Sequence, residues 1–316
     1  MTQTNEHIAT MEHVIGPRGR FTLRQASGEI TLKGVAGDMV RVRSLDGGRA
    51  LSEQFQIQTG DGFVELRQTE RFGIGIKMFT RGDSPEIEVE VPHGATVSVE
   101  SASAEVHASD LSGPKRFRTA SGELRLTRFA GALDAETVSG EIDLDGNAPL
   151  ELTTKSISGD IRVRIPSLKR LDLGTTSGDI WLDAELAGNG PFAIRSISGD
   201  ATIVGRSGFR VEAASITGDL SSELTHKRES MPGRKVLIVG KPGPTLAFRS
   251  VSGDLQVVQS RDAAPEMAAL TTAPETAPQA TNATPDIDAA RLEILRELER
   301  GDITVVEATD RLGRLD

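Results

Sequence analysis

The sequence predicts an all-β fold, a parallel β-solenoid of about 19-residue coils with a small helical hairpin at its C-terminal end. Three observations predict it. A Ser-Gly-Asp/Glu-Ile/Leu unit recurs, and its glycines Gly122, Gly140, Gly159, Gly178, Gly199 and Gly218 are spaced by 18, 19, 19, 21 and 19 residues. An early copy stands at Gly28 and a late one at Gly253. Second, the positions two and four after each glycine are mostly apolar (Ile142/Leu144, Ile161/Val163, Ile180/Leu182) with a polar residue between, the alternation of a half-buried strand. Third, the upstream apolar positions fall seven and five before the glycine, as in Leu171/Leu173, Phe192/Ile194 and Leu246/Phe248. The inward face therefore changes parity at Ser-Gly, and a corner or bulge there must absorb one residue.

Each unit reads as strand, glycine corner, strand and loop. An antiparallel meander or a sandwich of hairpins is the alternative, but like residues in every column favour coil-over-coil stacking. Thr119, Thr137, Ser156, Thr175, Ser196 and Ser215 lie three before the glycine, and Ser or Thr lies one before it in all eight copies. Such hydroxyls can bond along the stack or satisfy the corner backbone. Directly after the glycine stand Glu29, Glu123, Glu141, Asp160, Asp179, Asp200, Asp219 and Asp254. Four before it stand Arg24, Arg118, Lys155, Arg195 and Arg249, with Glu136, Gly174 and Ala214 as exceptions. Stacked carboxylates repel, so the acidic column must cap corner amides, pair with the basic column or hold cations such as Ca²⁺.

In chain order, residues 1–260 form the repeat domain, with residues 1–85 expected as irregular coils capping its first end. Within that cap, Phe72-Gly-Ile-Gly-Ile-Lys-Met-Phe79 is the most apolar loop-like stretch, and membrane or partner contact through it stays open. Glu86-Ile-Glu-Val-Glu-Val91 is an alternating strand, and Ser103-Ala104-Glu105 reads as a decayed corner. The 35-residue gap from Gly218 to Gly253 holds a basic insertion with a strand at Lys235-Val-Leu-Ile-Val239, and Ser222 interrupts the apolar column where it begins. Residues 261–285, rich in Ala, Pro and Thr, read as a linker. Residues 286–316 predict two short helices. Asp286 is the first cap, Gly301 the stop, and Thr304-Val-Val-Glu307 a capping box for the second. Leu292, Leu295, Leu298, Ile303 and Leu312 are more apolar side chains than this pair can hide, so association through them, with another copy or another protein, is expected.

The formal charge of −10 argues against nucleic acid as the main partner, because phosphate binding needs a positive face. Zero cysteines exclude disulfides, thiolate metal sites and a Cys nucleophile. The polar stretch Met1–Arg20 has no apolar run of signal-peptide type, which points to the cytoplasm. Five scattered histidines (His7, His13, His93, His107, His226) show no ligand pairing, and neither a nucleophile elbow nor a dinucleotide fingerprint occurs. No catalytic centre and no cofactor or metal site is expected. With aromatics at 3%, a polysaccharide-active cleft lacks its stacking platforms. The one Trp, Trp181, occupies an outward column beside Arg162, where a cation–π pair or partner contact is expected.

The repeated Ser-Gly-Asp-Ile/Leu units from Gly122 to Gly253 resemble the bacterial "putative adhesin" family of β-strand-repeat proteins, a domain of unknown function. The segment from Leu292 to Ala308 looks like a short helical module appended to such proteins. The resemblance implies a non-enzymatic bacterial protein, with some relatives tied to cell-envelope stress responses, and carries no catalytic residue over. A scaffold or regulator displaying a rigid surface to protein partners is the first reading. A surface adhesin is the second and a carbohydrate-active enzyme the third.

Overall fold

Alternating side chains make one face of a strand apolar, and stacking such strands in parallel buries that face as a continuous column. The computed structural model describes residues 10–45, 50–69, 84–206, 208–215, 217–231, 234–239 and 243–259. All described elements fall in the unit Met1–Gln259. The first part of the chain gives β1 (Thr10–Val14), β2 (Arg20–Val35), β3 (Met39–Ser44), a four-residue helix α1 (Leu51–Gln54), β4 (Phe55–Gly60), β5 (Phe63–Gln68) and β6 (Glu86–Pro92). The central part gives β7 (Thr96–Ser109), β8 (Lys115–Thr119), β9 (Leu124–Thr137), β10 (Ile142–Lys155), β11 (Ile161–Gly174), β12 (Ile180–Leu186), β13 (Phe192–Arg195) and β14 (Ala201–Gly205). The last part gives β15 (Phe209–Ser215), β16 (Leu220–Ser222), β17 (His226–Met231), β18 (Arg234–Val239), β19 (Thr245–Ser250) and β20 (Leu255–Gln259).

These strands form two pleated faces joined at the corners. The face that follows the corners runs β1, β3, β6, β2, β7, β9, β10, β11, β12, β14, β20, β16. The face that precedes them runs β4, β5, β2, β7, β8, β9, β10, β11, β13, β19, β15, β18, β17. Pairing is parallel from β6 to β16 on the first face and from β5 to β15 on the second. Antiparallel strands cover β6, β5 and β15, while β16 forms the edge at its end of the first face. The parallel stacking is that of a β-solenoid-like fold, and like columns meet like: Ile142 lies opposite Leu124 on one side and Ile161 on the other.

The inward columns build one core. Leu126, Leu144, Val163, Leu182, Ile203 and Val257 are all buried, as are Leu152, Leu171, Phe192 and Leu246 on the opposing face. Leu51 and Phe55, at α1, join the same core.

Two features differ from the sequence expectation. Within residues 1–85, expected to be an irregular cap, β2 is a full coil in register with β7 from Arg20/Thr96 to Lys33/Ser109. Its inward residues Phe21, Leu23, Ile30 and Leu32 carry the column pattern, so it stacks like the rest. The spatial order of coils also departs from chain order at both ends. By their corners the coils run Pro85, Gly28, Ala104, Gly122, Gly140, Gly159, Gly178, Gly199, Gly253, Gly218. The strand expected at Lys235–Val239 is β18, paired antiparallel with both β15 and β17. The linker 261–285, the hairpin 286–316 with Leu292, Leu295, Leu298, Ile303 and Leu312, and the loop Phe72–Phe79 lie outside the described residues.

Candidate functional site

The Ser-Gly-Asp corner concentrates the repeated polar side chains. Its glycines are packed too tightly for a side chain: a methyl at Gly140 would collide with the carbonyl oxygen of Gly122, and one at Gly159 with that of Gly140. The same contact links Gly178 to Gly159, Gly199 to Gly178, Gly253 to Gly199 and Gly218 to Gly253. Gly28 differs in having a φ of +111°, and the next corner above it is Ala104.

The two hydroxyl columns divide the available roles. Three before the glycine, the side chain points inward and accepts from the corner amide of its own coil. Gly122 N–H donates to Thr119 Oγ1 (3.0 Å), Gly140 to Thr137 (2.9 Å), Gly159 to Ser156 (2.9 Å) and Gly199 to Ser196 (2.8 Å). At Ala104 the acceptor is Ser101 (2.7 Å). One before the glycine, the hydroxyl points outward and donates along the stack. Ser158 Oγ reaches Val138 O (3.3 Å), Ser177 reaches Ile157 O (3.4 Å) and Ser252 reaches Ile197 O (3.3 Å).

The acidic column caps corner amides through four of its five aspartates, and the fifth, Asp219, meets Lys235 Nζ at 3.3 Å instead. Asp179 N–H donates to Asp160 Oδ1 (2.8 Å), Asp200 to Asp179 (2.9 Å), Asp254 to Asp200 (2.8 Å) and Asp219 to Asp254 (2.7 Å). A longer Glu side chain turns outward instead: Glu141 pairs with Arg162 at 3.1 Å and Glu123 with Arg125 at 2.5 Å. The basic column does not serve the acidic one. Arg24 pairs with Glu100 (3.0 Å), while Glu136 lies between Arg118 (3.0 Å) and Lys155 (3.9 Å), so the charges alternate within this column from Arg24 to Lys155. Among the described residues, no group of three or more His, Asp or Glu is placed to hold a metal ion.

Trp181 is half-buried on the outward face of β12, directly opposite Arg162. The expected partner is nonetheless displaced by one alternation: the Arg164 guanidinium lies over the indole, 5.5 Å from the ring centroid. Arg162 is drawn away to Glu141, and the diagonal neighbour covers the ring instead. The described histidines are held by nearby acceptors: His13 by Gly60 O (2.9 Å), His93 by Asp110 O (2.8 Å), His226 by Leu224 O (2.8 Å) and His107 by Glu105 (2.9 Å).

Three arrangements escaped the sequence reading. Lys115 stands seven before Gly122, in an otherwise apolar inward column, and is 4% exposed. Its Nζ donates to Ala130 O and Ala132 O (3.4 Å for the latter) and lies 5.2 Å from the Phe129 ring. Burial pushes its pKa down to about 8. Column alignment exposes this residue as the one charged member. Asp110 and Arg128 both have positive φ (61° and 55°) and form a fork-to-fork pair, Nε–Oδ1 2.6 Å and Nη2–Oδ2 2.5 Å. The Arg128 hydrogen bond holds the Asp110 carboxyl below its usual range. Asp183 is 8% exposed beneath Arg206, whose Nη2 donates to Oδ2 at 2.7 Å. No motif marks the last two in the sequence, since each depends on which residues neighbouring coils bring together.

A protein-family model described as Toastrack DUF4097 matches residues 49–258. Among solved structures, a "putative adhesin" from Bacteroides fragilis NCTC 9343 is similar, with 13% identity over 79% of this chain and 96% of that one and a TM-score of 0.46. A "putative adhesin" from Parabacteroides distasonis ATCC 8503 shows 15% identity over 79% and 96%, with a TM-score of 0.41. A "putative lipid binding protein" from the same organism shows 10% identity over 81% and 98%, with a TM-score of 0.26. No curated protein matches this chain.

Proposed function

Because the chain belongs to the Toastrack DUF4097 family of β-repeat domains of unknown function, we propose that it is a non-enzymatic scaffold or regulatory protein. Its stacked coils act as a rigid surface for protein partners. The observation that carries this reading is the destination of the repeated polar side chains. The Ser/Thr and Asp columns are engaged by corner backbone from Thr119 through Asp254. A hydroxyl or carboxylate held by its own architecture positions backbone; it is poorly placed to attack or protonate a substrate. What these ladders build is a stiff platform whose outward columns vary from coil to coil, as Arg162, Trp181 and Thr202 do along one row.

Association through residues 286–316, a cytoplasmic location and a link to the cell-envelope stress response belong to the same proposal. The first of these rests on the apolar spacing of Leu292, Leu295 and Leu298. Affinity capture from fractionated cells, with the full chain and with residues 286–316 deleted, tests it. Partners retained by the full chain and lost on deletion are expected. Recovery of the protein on the cell exterior would replace this reading with that of an adhesin. Turnover abolished by one Asp, Glu or Ser substitution would overturn its non-enzymatic part.

A further inference from the structure

Residues 245–259 are the last described segment of the chain, yet they lie between two coils that precede them. β19 pairs with β13 on one edge and β15 on the other, and β20 pairs likewise with β14 and β16. Synthesis runs from the N-terminus, so the Gly199 and Gly218 coils both exist before the segment that separates them. The slot it fills between them is one strand wide on each face. The Gly28 coil at the other end is different. It is made first, and its neighbours dock onto it from either side.

Side-chain chemistry says why the later coil takes the inner place. Leu246, Phe248, Leu255 and Val257 fill its four inward positions and are 0%, 1%, 0% and 0% exposed. The Gly218 coil offers Ala213 and Ser222 at two of the same positions. Four large apolar side chains gain most from neighbours on both edges, whereas a coil with a serine in its column tolerates the end of the stack.

The slot recognises its occupant by pattern. Ser252 N–H donates to Ile197 O (2.9 Å), Ser196 N–H to Arg249 O (2.9 Å) and Leu255 N–H to Asp219 O (2.9 Å). Asp254 joins the carboxylate ladder from both sides. Every one of these contacts is made by the coil itself and needs nothing from the chain that leads to it.

We propose that residues 245–259 are a donor coil, and that the slot between the Gly199 and Gly218 coils takes up the same segment of a second copy of this chain. The exchanged coil meets an identical slot, so reciprocal exchange keeps every contact within it. The absence of cysteine from the sequence gives a clean test. Thr202 and Gln256 lie opposite one another across β14 and β20 on the outward face. Strand spacing of about 4.8 Å lies within the range of about 4.4–6.8 Å that a disulfide bridges. Full-length Thr202→Cys and Gln256→Cys variants carrying different tags are co-expressed and then oxidised. The expected result is a band of two-chain mass that carries both tags and is lost on reduction, with neither variant forming it when expressed singly. The double variant Thr202→Cys/Gln256→Cys bridges within one chain in the unexchanged protein. An internal bridge in that double variant without any mixed-tag band would show insertion only within a chain and overturn the proposal. A bridge in Thr202→Cys/Ser221→Cys, two strands apart in this structure, would show the Gly218 coil seated directly on the Gly199 coil. That result would remove the slot altogether.

Discussion

Thr137 and Thr154 are both buried threonines in the inward columns, and the same substitution moves them in opposite directions. Thr137 Oγ1 accepts the buried Gly140 N–H at 2.9 Å, so Thr137→Val leaves that amide without a partner. The expected loss is about 1–3 kcal/mol. Thr154 Oγ1 is buried with no hydrogen-bond partner among the described residues, in a column where other coils carry Phe117, Leu173 and Ile194. Thr154→Val removes an unmet polar group at nearly constant shape and should add about 1 kcal/mol. Urea unfolding of the two variants checks the pair, and equal signs would refute the assignment of columns. Lys115 gives a pH signature. Its folded-state pKa of about 8 lies below the ordinary 10.5, so between those values the unfolded chain holds a proton that the folded one lacks. Stability therefore rises with pH through this window. The contribution is complete above the unfolded value and is lost as pH falls through about 8. From pH 7.5 to 10 the gain from this group is about 2 kcal/mol. The chain has neither Cys nor Tyr to titrate there, so Lys115→Met should flatten the profile between those two pH values.

At the scale of elements, what is legible in the sequence is whatever a column repeats. The parity change at Ser-Gly requires a corner because Leu171 and Leu173 must face the same core as Ile180 and Leu182, and the strands do break there. Even Ser103-Ala104-Glu105, which lacks the glycine, is recognisable because Ser101 and Ser103 keep their spacing, and Ala104 does stack between Gly28 and Gly122. Coil order was not legible. The Gly199, Gly218 and Gly253 coils carry nearly the same Ser, Gly and Asp residues, so any of them satisfies the corner backbone of any other, and only inward residues such as Ala213 and Ser222 tell them apart. Ser222 and the long gap before Gly253 were the available signals, and they mark an end of the stack more than they mark an insertion. Side-chain partners were harder still. Register places Arg162 opposite Trp181, but a flexible guanidinium follows the nearest carboxylate, and Glu141 one coil below captured it. The alternating charges of Arg118, Glu136 and Lys155 follow the same logic: Glu136 looks like an exception in a basic column until its two neighbours are seen to share it.

Across the described unit, the stack meets a hazard common to all open solenoids, an end strand that invites further pairing. Antiparallel strands cover β6 and β5 at one end and β15 at the other. On the remaining edge, β16 is only three residues long. Beside it, Gln259 N–H is met by a Glu223 side-chain oxygen at 3.4 Å. The position of β20 has a mechanical meaning as well. Tension from the β1 end through a handle at Gln259 must part β20 from β14, a ladder of five residue pairs, whereas the same tension through Ser222 need only part β16 from β20, a ladder of three. In single-molecule pulling from Val14, a handle at Gln259 should therefore rupture at a higher force than one at Ser222. Equal forces would mean that the longer β14–β20 ladder carries no more load than the β16–β20 one. The chain beyond Gln259 thus leaves from the strand that has the longer of these two ladders behind it.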